Sequence, residues 1–187
     1  MASFGAKKPR FAKILSEPAS ALPTYEEVIS IGRMIKGDTT VAFASGKLYA
    51  DDALAESVDE FISATVVLET DDIIDDVAGE IYGAQVTAGL VNYNAGDAPP
   101  LGGLAYYKVL MRNGAKLYKG YYYPRVKAAL GNDTAQTKGD SITFGTSTTT
   151  FTVYQSNTGS WRQTKEFDTE TEATEWCDEM LGVTSGG

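Results

Sequence analysis

The sequence predicts a mainly β protein with short helices, and three patterns carry this prediction. From Phe61 to Glu69 every second residue is apolar, which is the period of a strand with one buried face. The dipeptide Asn113-Gly114 lies between two alternating runs and is the strongest short-range signal for a β-hairpin. Two further segments repeat apolar residues at helical spacing.

Size and composition limit the possible chemistry. The 187 residues, 43% of them apolar, suffice for one domain, alone or with an appendage. There is no histidine and a single cysteine, Cys177, which excludes histidine-based catalysis, the usual zinc sites and an internal disulfide. The formal net charge of −9 argues against wrapping duplex DNA. With no apolar run of about 18 residues, we expect a soluble protein.

The first 37 residues are predicted to form an extended arm. Pro9, Pro18 and Pro23 interrupt helix and strand alike, and Phe4 and Phe11 are isolated apolar anchors. Such anchors suit docking on a neighbouring subunit, although the arm could also pack on its own domain. The predicted organisation is an arm over 1–37, a β domain over 38–154 and a C-terminal extension over 155–187.

Two strands and a helix are predicted after the arm. The strands begin at Thr39 and Phe61, and the polar segment Leu48–Ser57 between them is predicted to be a long loop. A helix over about 71–82 follows, with Thr70 as its N-cap and acidic residues in its first turn. Gly83 is predicted to end that helix.

The second half of the chain is predicted to hold a hairpin, two more strands and a helix. The hairpin spans about 104–123 around Asn113-Gly114, and strands follow at Ser141–Phe144 and in the threonine-rich run to Tyr154. The final helix spans about 170–181. Thr169 and Glu172 predict its capping box, and Gly182 predicts its end.

Charge is segregated along the chain. The segment 105–132 contains six basic residues and no acidic one, whereas 71–82 and 166–179 contain only acidic charges. Opposite patches favour head-to-tail pairing between copies, and the alternative is that each patch is a solvated face. The basic residues are Lys108, Arg112, Lys116, Lys119, Arg125 and Lys127.

Tyrosines are concentrated in the same basic hairpin. Basic residues interleaved with aromatic ones can stack single-stranded nucleic acid, so a nucleic-acid-binding module is kept as the alternative function. Strand alternation would turn about half of these rings into a core, and tyrosine is also typical of protein interfaces. The tyrosines are Tyr106, Tyr107, Tyr118, Tyr121, Tyr122 and Tyr123.

Adjacent carboxylates do not define an enzyme. The pairs Asp51-Asp52, Asp71-Asp72 and Asp75-Asp76 match no calcium loop, and the sequence has no nucleotide-binding or hydrolase motif. Loop and helix-terminus acidity accounts for most of them. We therefore expect no enzyme, and no catalytic, cofactor-binding or metal-binding residues.

Five stretches in a fixed order carry a family resemblance. They are FGAKKPRFAKI from Phe4, LYADDALAE from Leu48, DAPPLGGLAYYKVLMRNGAKLY from Asp97, TKGDSITFGTSTTTF from Thr137 and WRQTKEFDTETEATEWCDEMLG from Trp161. Together they resemble the major tail proteins, or tail tube proteins, of long-tailed bacteriophages and prophages. The similarity runs over nearly the whole chain.

The resemblance implies a tail-tube-type β-sandwich or half-barrel with a flanking short helix. Six subunits would close into a ring, and stacked rings would form the tail tube, through which DNA passes during ejection without specific binding. The implied partners are further copies of the chain and the tape measure, terminator and tip proteins. The implied location is the virion tail, after assembly in the bacterial cytoplasm, with no membrane and no cofactor.

The candidate interface combines this implication with the exposed charges of the hairpin. By similarity, the N-terminal arm and the segment Leu48–Ser57 bridge subunits and successive rings. The hairpin bases are added because complementary charge steers association. The candidate residues are Phe4, Phe11, Leu48, Tyr49, Asp51, Asp52, Lys108, Arg112, Lys116 and Lys119.

Overall fold

The computed structural model describes residues 2–50, 53–73, 75–133 and 145–183. These residues form eleven strands and two helices, which confirms the prediction of a mainly β protein with helices. The strands are β1 (Ala2–Ser16), β2 (Thr24–Tyr25), β3 (Ile29–Ser30), β4 (Met34–Ala50), β5 (Ala53–Thr70), β6 (Gln85–Thr87), β7 (Leu90–Asn92), β8 (Leu101–Arg112), β9 (Ala115–Asp133), β10 (Ser147–Val153) and β11 (Gln163–Phe167). The helices are α1 (Asp75–Tyr82) and α2 (Glu170–Met180).

Nine of these strands form one antiparallel sheet. Its order is β2-β1-β8-β9-β10-β5-β4, with β3 added to β1 and β11 added to β9. The strands β4 and β1 lie far apart in this order, yet they are close together in space. The sheet is therefore strongly curved. The strands β6 and β7 form a separate small hairpin.

The two faces of the sheet are buried in different ways. Strand alternation sends one set of side chains into the curl of the sheet and the next set to the opposite face. Inside the curl lie Val66, Leu68, Leu104, Tyr106, Tyr123, Phe151 and the buried side of α1. On the opposite face, α2 covers β8 and β9 and joins Ala105, Tyr107 and Tyr122 to Ala173, Cys177 and Leu181.

Two local predictions in the second half are confirmed. Asn113 and Gly114 have φ values of 51° and 80°, as a type I′ hairpin turn requires, and they connect β8 to β9. The threonine-rich run forms β10, whereas the predicted strand Ser141–Phe144 lies outside the described residues.

The C-terminal helix is also confirmed. The Thr169 side chain accepts a hydrogen bond from the Glu172 backbone N–H, and the Glu172 side chain accepts one from the Thr169 backbone N–H. This is the predicted capping box. The Gly182 backbone, with φ 87°, continues the turn that ends the helix.

The predicted start of the first helix is wrong. The helix begins at Asp75, and Thr70 is a buried residue at the end of β5, paired with Ser147 and Met34. Strand pairing on both sides prevents Thr70 from acting as a helix cap. The helix end is confirmed, because Gly83 has φ 71° and its N–H bonds to the Gly79 carbonyl.

The prediction of a long loop at Leu48–Ser57 is also wrong. The strands β4 and β5 extend into this segment as far as Ala50 and from Ala53 onward, where Leu48 pairs with Glu56 and Ala50 pairs with Ala53. Polarity misled the prediction, because a two-stranded hairpin that covers no core has no need of alternating apolar residues.

The predicted N-terminal arm is extended, but its first part is not detached. Residues 2–13 pair with β8, which places β1 inside the main sheet. Pro9 is accommodated where the register shifts between Lys7 and Arg10, next to Lys8 with φ 52°. A bulge at this point removes the need for the backbone N–H that proline lacks.

Candidate subunit interface

The distal half of the β4–β5 hairpin projects from the main sheet. β5 pairs with β10 only as far as Ala64, and the described residues beyond that point pair only within the hairpin. The register shifts where Ala42 pairs with Ser63 and Phe43 pairs with Phe61, which leaves Ile62 as the extra residue of a bulge. We call residues 43–50 and 53–61 the ribbon.

The ribbon exposes apolar side chains and two strand edges. Phe43 is 55% exposed, Val58 is 53% exposed, and Ile62 at the bulge is 59% exposed. Ser45 donates a hydrogen bond across the ribbon to Asp59 Oδ1 at 2.5 Å. A two-stranded hairpin without a third strand or a covering layer is only marginally stable in water. The ribbon is therefore suited to receive contacts from another molecule.

An aromatic stack lies where the ribbon joins the rest of the described chain, which we call the body. The Phe61 ring packs parallel to the Trp161 indole, with centroids 4.6 Å apart and an interplanar angle of 12°. Phe43 meets the edge of Phe61 at 6.4 Å, and the Arg162 guanidinium lies over the Trp161 ring at 4.6 Å. Stacked aromatic pairs contribute roughly 1 kcal/mol beyond burial, so this stack is a definite attachment point.

The two predicted phenylalanine anchors have different environments. Phe4 is 48% exposed on β1 and remains available for a contact between subunits. Phe11 is fully buried in the chain's own core, with its ring 6.1 Å from that of Phe151. The assignment of Phe11 to an interface is therefore wrong, because strand pairing turns its side chain inward.

Lys108 is also poorly placed for an interface. Its Nζ donates to the Gly37 carbonyl at 3.3 Å and lies over the Tyr121 ring at 5.2 Å. Burial lowers the pKa of this half-buried amine. Lys108 therefore links β8 to β4 within the subunit, and its role between subunits stays a prediction.

Two other predicted bases meet an acidic residue of the same chain. Arg112 and Lys119 lie 2.9 and 3.6 Å from the Glu166 carboxylate. Pairing β11 beside β9 brings these charges together. The charge segregation seen in the sequence is thus partly neutralised within one subunit, and Lys116 is the exposed base next to this group.

The structure describes the remaining candidates only in part. The backbones of Leu48 and Tyr49 belong to β4, but their side chains are outside the described part. Asp51 and Asp52 fall outside the described residues altogether. The structure thus brings Arg112 and Lys119 together, and leaves Phe4 and Lys116 at the surface.

Helix α2 is fixed to the body by its own set of contacts. Tyr107 donates from its hydroxyl to Glu170 Oε1 at 2.5 Å, and Lys7 Nζ lies 3.2 Å from the same oxygen. The Tyr107 hydrogen bond, followed by the Lys7 contacts, lowers the pKa of Glu170. Burial raises the pKa of Cys177 to about 12, so its thiol is neutral and unreactive at ordinary pH.

The tyrosine-rich hairpin turns most of its aromatic rings away from solvent. Four of its six tyrosines are fully buried, and Tyr118 and Tyr121 are half-buried. Tyr122 contacts the hydroxyl of Tyr25, and burial raises its pKa to about 12. These rings form the core on both sides of β8 and β9, which weighs against the alternative function. The four buried residues are Tyr106, Tyr107, Tyr122 and Tyr123.

Sequence reasoning did not single out Val58, Ile62 or Trp161. Val58 directly follows the segment predicted to be a polar loop, and Ile62 belongs to the strand predicted from Phe61, where the bulge leaves its side chain exposed. No local signal joins Trp161 to Phe61, because 100 positions separate them in the sequence.

Other kinds of site find no support in the described ranges. No three acidic or cysteine side chains among these residues are grouped so that they could hold a metal ion. Of the helices described, neither has the length and apolar character needed to cross a membrane. Known protein-family models and curated proteins were compared with the chain, and neither comparison gives a match.

Proposed function

We propose that the protein is a structural virion protein whose copies assemble into stacked rings, hexameric by the family resemblance, that form a phage tail tube. The observation that carries the proposal is the ribbon, a long strand pair with open edges and exposed apolar residues. A neighbouring copy is the occupant that this surface suits best, because strand edges are templates for further strands.

The dimensions of the ribbon fit this role. Residues 43–50, extended at roughly 3.3 Å per residue, reach about 25 Å from the bulge. A ribbon of that length extends beyond the main sheet, where another copy would meet it. Ring closure pairs edges that would otherwise promote uncontrolled aggregation.

The charge of the chain supports a conduit for DNA. Each copy carries a formal charge of −9, which a closed ring multiplies. A net-negative wall lacks the density of lysine and arginine that binds phosphates through counterion release. DNA would therefore pass such a tube without being retained.

The test is a charge substitution on the ribbon. Val58→Glu places a carboxylate on an exposed apolar position of the ribbon, and we expect it to abolish rings and tubes in electron micrographs while the melting temperature stays close to wild type. Leu90→Glu is the matched control, because Leu90 is similarly exposed, at 61%, on β7 of the body.

Two outcomes would count against the proposal. Wild-type protein that stays monomeric even when the other tail proteins are supplied would contradict tube formation. Tubes formed equally well by Val58→Glu and wild type would show that the ribbon is not the contact surface.

A further inference from the structure

We infer that Trp161 is a positioning residue that fixes the direction in which the ribbon leaves the body. The inference deepens the proposed function, on which its consequence for assembly rests. The direction itself is a property of the single subunit and can be measured there. Trp161 would act through Phe61, the ribbon residue on which it stacks.

The junction is the place where the ribbon could swing. The last pair shared with the main sheet is Ala64 with Val153, and the bulge at Ile62 follows directly. Bulges bend and twist a strand pair. The first pair beyond the bulge is Phe43 with Phe61; the Phe61 ring stacks on Trp161, and Phe43 meets the edge of Phe61.

The indole is presented by a tightly fixed loop. Ser156 donates to the Ser160 carbonyl from both its backbone N–H and its hydroxyl, at 2.9 and 2.8 Å. The Asn157 side chain donates to the carbonyls of Glu17 and Pro18, each at 3.2 Å. The loop before Trp161 is thus attached to the connection that follows β1, so the indole is a fixed reference point of the body.

Stacking against a fixed ring selects one orientation from those that the bulge permits. Removing the indole would leave the hydrogen-bonded ladder between β4 and β5 intact, because Trp161 takes no part in it. The ribbon would then sample several directions. A neighbouring copy would bind only the competent fraction, so apparent affinity would fall in proportion to that fraction.

The orientation can be measured by pulsed electron paramagnetic resonance on the monomer. Spin labels at Lys47→Cys on the ribbon and Glu175→Cys on α2 would report their distance, with buried Cys177 replaced by serine. We expect a narrow distance distribution in the parent protein, a broad one in Trp161→Ala and a narrow one again in Trp161→Phe.

Assembly supplies the second measurement. Trp161→Ala should raise the protein concentration needed for tube formation about tenfold, as expected if the competent fraction falls tenfold. Trp161→Phe should restore most of this loss. Should Trp161→Ala fail to fold, Phe61→Leu removes the same stack from the ribbon side.

The outcomes separate the two proposals. A distribution in Trp161→Ala, or in Phe61→Leu, as narrow as that of the parent overturns the inference, whatever happens to assembly. A broad distribution that Trp161→Phe narrows supports it. If the parent also forms no tubes with the other tail proteins present, the proposed function fails while the role of Trp161 in directing the ribbon stands.

Discussion

The strands beneath α2 and the strands of the ribbon differ in how much of their surface the chain itself covers. On the α2 side, the outer face of β8 and β9 is covered by Ala173, Cys177 and Leu181, and nearby charges find partners in the same chain. On the ribbon, Phe43 and Val58 stay exposed and the strand edges are open.

The difference indicates where the proposed contacts between copies would lie. Contacts that one subunit already makes contribute to its folding, whereas surfaces that it leaves open are available for association. The acidic and basic segments looked like an interface because they carry opposite charge, but much of that charge is paired within the subunit. The apolar side chains and strand edges that the fold leaves uncovered are a better guide to the proposed interface than the charge pattern.

The largest expected effect tests whether the body is complete by itself. Phe11→Ala removes a fully buried ring from the core and should lower the free energy of unfolding of the isolated subunit by about 3–5 kcal/mol. Urea denaturation of monomeric protein measures this change. Phe4→Ala, on the same strand but 48% exposed, is the control and should change stability by less than about 0.5 kcal/mol.

Similar stability for the two variants would mean that Phe11 docks on a neighbour, as the arm hypothesis held. The body would then also need contacts from a neighbouring copy, as the ribbon is proposed to need, and the two regions would no longer differ in this respect. A large loss for Phe11→Ala alone would strengthen that contrast.

Local elements of the fold were predictable from the sequence because their causes lie within a few residues. The Asn113-Gly114 turn depends on two backbone conformations, and the capping box of α2 depends on Thr169 and Glu172. Thr70 shows the limit of such reasoning. Its sequence suits a helix cap, but pairing with β4 and β10 keeps it in a strand.

The candidate site was less predictable, because exposure depends on contacts between distant segments. Phe11 and Phe43 are alike in the sequence, yet one lies in the core and the other on the ribbon. The stack of Phe61 on Trp161 and the meeting of Arg112 with Glu166 likewise depend on how the sheet is ordered. The charged segments were located correctly, but which residues pair with one another could not be predicted from their spacing in the sequence.

A smaller effect is expected from reversing a charge near α2. Arg112→Glu replaces the Arg112–Glu166 ion pair, 2.9 Å long and partly exposed, with two like charges. We expect a loss of stability of about 0.5–1 kcal/mol by thermal melting. The double variant Arg112→Glu/Glu166→Arg should recover most of it, because the pair is restored in reverse.

Assembly should respond little to this reversal if Arg112 acts within the subunit. Lys116→Glu is the control, since Lys116 is exposed on the same hairpin. The opposite result would be a loss of tubes in Arg112→Glu and in the double variant, while Lys116→Glu still forms tubes. Arg112 would then lie between copies, and contacts between copies would not be confined to the ribbon.

The smallest expected effect concerns pH and the attachment of α2. The hydrogen bond from Tyr107 and the nearby Lys7 lower the pKa of Glu170 in the folded chain. A carboxyl group of this kind stabilises the fold above its unfolded pKa, and the contribution is lost as pH falls through the folded pKa. Glu170→Gln should therefore be less stable than wild type by about 0.5 kcal/mol near pH 7, since partial exposure screens the charges.

The difference between the two proteins should shrink as the pH falls through the lowered pKa of Glu170, because this carboxyl group then becomes protonated in wild type too. Urea denaturation across this range measures it. Glu175→Gln, on the exposed side of the same helix, separates the Tyr107 contact from a general effect of net charge. An equal and equally pH-dependent loss in Glu175→Gln would mean that net charge, and not the contact with Tyr107, holds α2 to the body.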